Sequence, residues 1–164
     1  MDKKSILLIC GGGGTEHDIS LTSSQYIKDQ LSKIDGLETH LVVIQACGTR
    51  VDENGQKVEL RKGGFLFHHD TEKSDYLHFA IPCFHGPPGE TGEIQSVFEM
   101  MNLPYLGCGP EASLLCFNKV STKLWMDAAG IPNTPWIFLS DPTDMTKAKE
   151  FFNQHGSVFV KASS

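Results

Sequence analysis

Apolar residues in this chain fall into short continuous runs, with stretches of helical spacing between them. Residues 5–10 form an apolar run that reads as a first strand. Gly11-Gly12-Gly13-Gly14 follows it directly, and Thr15-Glu16-His17-Asp18 opens a helix. Thr15 is a fair N-cap, and Asp18 three residues on completes a capping-box-like pair. Ile19, Ser23, Tyr26, Ile27, Leu31 and Ile34 make its predicted inner face, and Gly36 ends it. Residues 41–46 read as a second strand. Residues 49–60 read as a hairpin turning at Asn54-Gly55. Residues 65–67 form a short strand, His68 and His69 a solvated patch, and residues 73–76 a connection. The apolar run 77–84 is a buried strand, and Ile94, Val97, Phe98 and Met101 then recur at helical spacing.

The second half continues in the same manner. Residues 103–106 read as an edge strand, because Pro104 cannot donate to a ladder. Gly107-Cys108-Gly109-Pro110 marks a boundary, with Pro110 suited to a helix's first turn and Ala112, Leu115 and Cys116 on that helix's face. A helix over 120–129, with Leu124 and Trp125 inward, stops at Gly130-Ile131-Pro132. Residues 136–139 form a strand. Asp141-Pro142 starts a helix with Met145, Ala148, Phe151 and Phe152 inward, closed by Gly156, and 158–161 is a last strand. Strands alternating with helices predict an α/β fold on a parallel sheet. A βαβ segment that breaks off where its sheet should grow suggests the front part of a longer protein.

Composition narrows the partners. The chain has 164 residues, 40% hydrophobic and 21% charged, which suffices for a packed core in one domain plus part of another. A formal charge of −6 argues against nucleic acid or an anionic membrane as the main partner. No apolar stretch is long enough to span a bilayer, and the apolar run after Met1-Asp2-Lys3-Lys4 is too short for a signal-peptide core. Cys10, Cys47, Cys83, Cys108 and Cys116 are odd in number and contain no C-x-x-C, which suggests neither a disulfide framework nor a zinc site. A reducing cytoplasm follows.

Two loops carry candidate chemistry. Pro82-Cys83-Phe84-His85-Gly86-Pro87-Pro88-Gly89-Glu90-Thr91-Gly92-Glu93-Ile94-Gln95 joins the central strand to its helix. Strand, Gly-rich loop and helix is a way to present backbone N–H groups and a helix N-terminus to an anion; the alternative is a tight connection with a surface histidine. The glycines after the first strand allow close backbone approach, but no glycine completes the G-x-G-x-x-G dinucleotide fingerprint. Glu16 is either a first-turn carboxylate favoured by the helix dipole or a carboxylate placed to bind an ammonium group.

Four segments, in order, are similar to the N-terminal half of the D-alanine:D-alanine ligase family of the ATP-grasp superfamily. They are Gly11-Gly12-Gly13-Gly14-Thr15-Glu16-His17-Asp18-Ile19-Ser20-Leu21, the segment from His85 to Gln95, Phe117-Asn118-Lys119 with Thr122-Lys123 and the Ala129-Gly130-Ile131-Pro132 stop, and Val158-Phe159-Val160-Lys161. The resemblance covers the whole chain but about half of a family member. The chain departs from the family pattern at Thr91, where Asp or Asn is usual, and at Ala162, where Pro is usual. Thr91 is still able to cap the following helix.

The resemblance implies a Rossmann-like N-terminal substrate domain over 1–107 and an incomplete start of the ATP-grasp domain over 108–164. It implies ligation of two D-alanines through an acyl phosphate, with ATP and Mg²⁺, for peptidoglycan precursor synthesis in the cytoplasm. Glu16 then corresponds to the carboxylate for the first substrate's ammonium group, and His85 with Gly86 to residues beside that substrate's carboxylate. Lys119 and Lys161 correspond to lysines on the ATP phosphates, whereas Lys123 reads as a solvated helix residue. The Mg²⁺ ligands lie in the family's C-terminal half, so none is expected in this chain, and residues 1–164 alone are expected to be inactive. Dimerisation through the N-terminal domain is common in the family. The alternatives are another ATP-grasp carboxylate-amine ligase, which the His85 segment argues against, and a non-catalytic binding domain of the same fold.

Overall fold

The structure, a computed structural model, describes residues 3–141, 143 and 145–164. It divides into two compact units, one running to Leu114 and the other from Leu115 to Ser164.

The first unit is built on a four-stranded sheet. Its strands are β1 (Lys4–Gly11), β2 (Leu37–Ile44), β3 (Arg50–Val51) and β7 (Phe79–Cys83), in the order β3-β2-β1-β7. β1 pairs in parallel with both β2 and β7, and β3 closes one edge antiparallel to β2. Leu7, Leu8, Ile9 and Cys10 are all fully buried. A central parallel strand is covered on both faces, which is why its sequence reads as a continuous apolar run. The pleat sorts these four residues. Leu7 and Ile9 pack with Val42, Ile44, Ala80, Ile94 and Phe98, while Leu8 and Cys10 pack with Cys83, Leu21 and Ile27. Helix α1 (His17–Leu31) therefore covers one face and α2 (Glu93–Met101) the other.

A second, antiparallel sheet, β4 (Val58–Arg61), β5 (Phe65–His68) and β6 (Lys73–Tyr76), adds Val58, Leu60 and Leu66 to the α2-side core. The turn at Asn54-Gly55 forms as the sequence predicts: Gly55 N–H donates to Asp52 O, and Asp52 N–H to Gln56 O. Its arms nevertheless join different sheets, and beyond the turn they are linked by an isolated Val51–Lys57 bridge. Residues 73–76 are a strand rather than a connection, because β5 offers them a full antiparallel register from His68–Lys73 to Phe65–Tyr76. Residues 103–106 make a single parallel bridge, Tyr105 with Ala80, instead of a strand.

Helix α1 departs from its predicted register. Ile19, Tyr26 and Ile34 are exposed, and the buried positions are Ser20 and Ser24, with Ile27 packed beside them. The inner face is rotated by about one residue because two serines, not apolar side chains, meet the strand ends. The helix also stops at Leu31 with Ser32 as its C-cap, ahead of Gly36. Thr15 does not cap it: Glu16 holds the N-cap position, with no capping bond from its side chain.

The second unit contains α4 (Lys119–Ala128) and α5 (Thr146–His155); α3 (Pro110–Phe117) contains the division. Asn118 caps α4 by accepting from Ser121 N–H at 2.9 Å. Among its described residues none is buried. Leu124 and Trp125 are exposed rather than inward, as are Met145 and Phe152 on α5. Residues 136–139 and 158–161 are not strands; Phe159 is 96% exposed. Extended apolar segments become strands only where a neighbour takes up their backbone groups, and among the described residues none does. Asp141 caps a turn, accepting from Thr143 N–H at 2.8 Å, and α5 begins at Thr146. Pro142, expected to start that helix, lies outside the described residues.

Candidate functional site

The two loops singled out by sequence meet at the carboxyl ends of β1 and β7, which are neighbours in register from Ile6–Phe79 to Cys10–Cys83. Crevices at such strand ends are where open α/β sheets bind ligands. Ser20 fastens the place together. Its fully buried hydroxyl accepts from Gly11 N–H at 2.8 Å and donates to Cys83 O at 2.5 Å. One α1 side chain thus ties off both central strands. Gly11 turns at φ +91°, and a Cβ there would lie 2.4 Å from Ile44 O. His17 bonds Gly12 O through Nδ1 at 2.7 Å.

Glu16 and the His85-Gly86 segment face one another. Glu16 Oε2 lies 3.4 Å from where a Gly86 Cβ would be. Glu16 is exposed, His85 half-buried and Gly86 buried. His85 Nε2 is 3.1 Å from Ser23 Oγ, so α1 supplies both the carboxylate and the hydroxyl that orients the imidazole. Where that hydroxyl donates, Nδ1 carries the ring proton. A carboxylate beside an imidazole suits a zwitterion, whose ammonium pairs with the first and whose carboxylate accepts from the second.

The loop itself is largely self-satisfied. Gly89 and Glu90 N–H groups both donate to Gly86 O, and Ile94 N–H donates to Pro88 O. Gln95 Nε2 donates to Gly89 O at 2.6 Å. These donors close the loop, which favours the tight-connection reading over the anion cradle at those N–H groups. Gly92, at φ +90°, is the N-cap of α2. Thr91 does not cap the helix; its hydroxyl bonds the Glu93 carboxylate.

Lys119 and Lys161 lie in the second unit. Lys119 opens α4, its N–H donates to Ser163 O at 2.7 Å, and its ammonium stands 5.8 Å from the Phe117 ring centroid. Lys161 is exposed. Lys123 is not simply solvated: its ammonium bonds Asn133 Oδ1 at 2.7 Å and Thr134 Oγ1 at 2.8 Å, tying α4 to the segment after it.

Sequence reasoning missed Ser20 and Ser23. The signal was present as three serines in Ser20-Leu21-Thr22-Ser23-Ser24, on the helix beside a glycine loop. It also missed His68, which is half-buried and bonds Asp75 at 3.0 Å. Burial raises the thiol pKa of both Cys10 and Cys83 at the strand ends, so neither is a ready thiolate.

The family described as D-ala D-ala ligase N-terminus matches residues 5–108. The chain is 49% identical over 160 residues to a D-alanine–D-alanine ligase of Aliivibrio fischeri, covering 96% of this chain and 48% of that protein. It is similar to the crystal structure of D-alanyl-alanine synthetase A from Vibrio cholerae, with TM-score 0.86, 46% identity and coverage of 99% and 49%. It is similar also to the D-alanine–D-alanine ligase of Coxiella burnetii, with TM-score 0.84, 25% identity and coverage of 100% and 52%. The chain spans about half the length of the curated relatives it matches. With a mostly parallel sheet, and with the match running from β1 past α2, the chain belongs to the D-alanine–D-alanine ligase family through that family's N-terminal region.

Proposed function

We propose that this chain supplies the first-substrate site of an ATP-dependent ligase that joins two D-alanines through an acyl phosphate, for peptidoglycan precursors in the cytoplasm. The observation that carries the reading is Glu16 Oε2 facing Gly86 beside the Ser23-held imidazole of His85. In this reading Glu16 receives the ammonium group of D-alanine. His85 lies beside its carboxylate, and Gly86 keeps the floor of the site free of a side chain. The substrate domain extends to about Gly107.

Lys119 and Lys161 are assigned to the phosphates of ATP. Both fit as cationic ends outside any ion pair among the described residues. ATP supplies the phosphoryl group that activates the first carboxylate; the two lysines bind and orient it. The donors present do not fit Mg²⁺. Among the described residues the clustered metal-type donors are His40, His68 and Asp75, and Mg²⁺ takes oxygen ligands. No step is assigned to Mg²⁺ on these residues, and residues 1–164 alone are expected to be inactive.

The test is phosphate release from ATP with and without D-alanine, for this chain and for the product of the complete reading frame. Release from the complete product alone, dependent on D-alanine, is expected. Glu16→Gln should raise the D-alanine KM about 10- to 100-fold, as loss of a charge-assisted bond implies. No D-alanine-dependent release from the complete product would reject the ligase reading. Such release by residues 1–164 would reject their inactivity.

A further inference from the structure

His40 on β2, His68 on β5 and Asp75 on β6 converge where the small antiparallel sheet meets the edge of the main one. One ligand-type atom from each lies within 4.8 Å of the others. His68 Nε2 is 3.0 Å from Asp75 Oδ2, and His40 Nδ1 is 3.8 Å from the same oxygen. The imidazoles are largely covered, at 16% and 18% side-chain exposure, whereas Asp75 is open to solvent. A small pocket of about 180 Å³ adjoins them, lined in part by His40, His68 and Asp52.

Two further details distinguish this from a surface ion pair. Asp52 Oδ1 is fixed by the N–H groups of Asn54 and Gln56, both at 2.9 Å. Its other oxygen, Oδ2, thereby stands 3.8 Å from His68 Nδ1. That separation is too long for a hydrogen bond, but it sets a carboxylate beside the second ring nitrogen, where metal-binding histidines commonly have one. The second detail is His40 Nε2, which is buried and has no hydrogen-bond partner. The nitrogen of this ring set toward Asp75 is Nδ1, so the unpaired Nε2 shows that no hydrogen bond ties the ring from its other side.

We infer that His40, His68 and Asp75 form a binding site for a divalent transition-metal ion of the Zn²⁺ type, with Asp52 orienting His68. Two imidazoles and one carboxylate match the donor preference of Zn²⁺ and leave positions for water. Hard ions such as Mg²⁺ and Ca²⁺ prefer all-oxygen sets and are not expected to compete. The ion would link β2 of the main sheet to β5 and β6 of the small one. Its contribution is structural, and it is independent of the ligase reading.

The experiment is Zn²⁺ titration of the 164-residue chain by calorimetry, with thiols blocked so that the exposed Cys47, Cys108 and Cys116 do not compete. One saturable site is expected, with a rise in Tm on adding Zn²⁺. Co²⁺ should give visible ligand-field bands with no thiolate charge-transfer band. His68→Gln and Asp75→Asn should each remove the saturable site, and Asp52→Asn should weaken it about tenfold. The Asp75 side chain is 48% exposed and Asp75 is outside the buried core, so its variant tests the site without threatening that core. Absence of a saturable site in the wild type, or one unchanged in both His68→Gln and Asp75→Asn, would overturn the inference.

Discussion

Ser20 shows how much can rest on one small polar residue. It is fully buried, and its hydroxyl serves Gly11 N–H and Cys83 O at the ends of the two central strands. Ser20→Ala removes both bonds and leaves two backbone groups away from water. The expected cost is about 1–3 kcal/mol, because an unsatisfied buried group loses its solvation without compensation. Urea unfolding followed by circular dichroism measures it; a midpoint within error of wild type would remove Ser20 from this role. The same residue marks the limit of sequence reading. The predicted stripe put Ile19, Tyr26 and Ile27 inside; Ile27 does pack there, but Ile19 and Tyr26 are exposed and the buried positions are Ser20 and Ser24. A serine carries no hydrophobic signal, and its value here comes from strand ends more than sixty residues apart in the case of Cys83. Glu16 and His85 stood out through the family resemblance, since their local patterns alone left the plain readings open.

At the scale of elements, β1, β7, α2 and the Asn54-Gly55 turn could be read directly. Each is specified locally, by a continuous apolar run, a 3.6-residue stripe or a turn dipeptide. β6 could not, because Lys73-Ser74-Asp75-Tyr76 has no strand pattern of its own and takes its conformation from β5. The loop between β7 and α2 is a third case, in which spacing of glycines pointed to function but their immediate reason is steric. A Cβ on Gly89 would lie 2.3 Å from Phe84 Cβ, well inside contact distance and against a part of the side chain that cannot swing away. Gly89→Ala must therefore displace the loop that carries His85, at a cost of about 1–3 kcal/mol by the usual scale of overpacking. Gly14→Ala is the control, since its nearest neighbour is 4.0 Å away. Equal urea midpoints for the two variants would show that the loop yields without strain.

For the whole molecule, the contrast between units decides where stability resides. Burial of apolar surface is the main favourable term, about 25 cal/mol per Å². The first unit has a continuous core from Leu7 to Leu103, while no described residue after Leu114 is buried. Leu124, Trp125, Phe138, Phe152, Phe159 and Val160 are all exposed. Backbone opening is therefore costly in β1 and nearly free over residues 158–161, where neither packing nor ladder bonds oppose it. Hydrogen exchange of the 164-residue chain should find β1 amides among the slowest and those of Phe159 and Val160 exchanging close to unprotected rates. The sequence pattern of Val158-Phe159-Val160 is nonetheless that of a buried strand. If the family's second half completes its sheet, the same amides should become protected in the product of the complete reading frame. Slow exchange there in the 164-residue chain would mean that the segment already has a partner, in which case its exposure would have another cause than a missing neighbour.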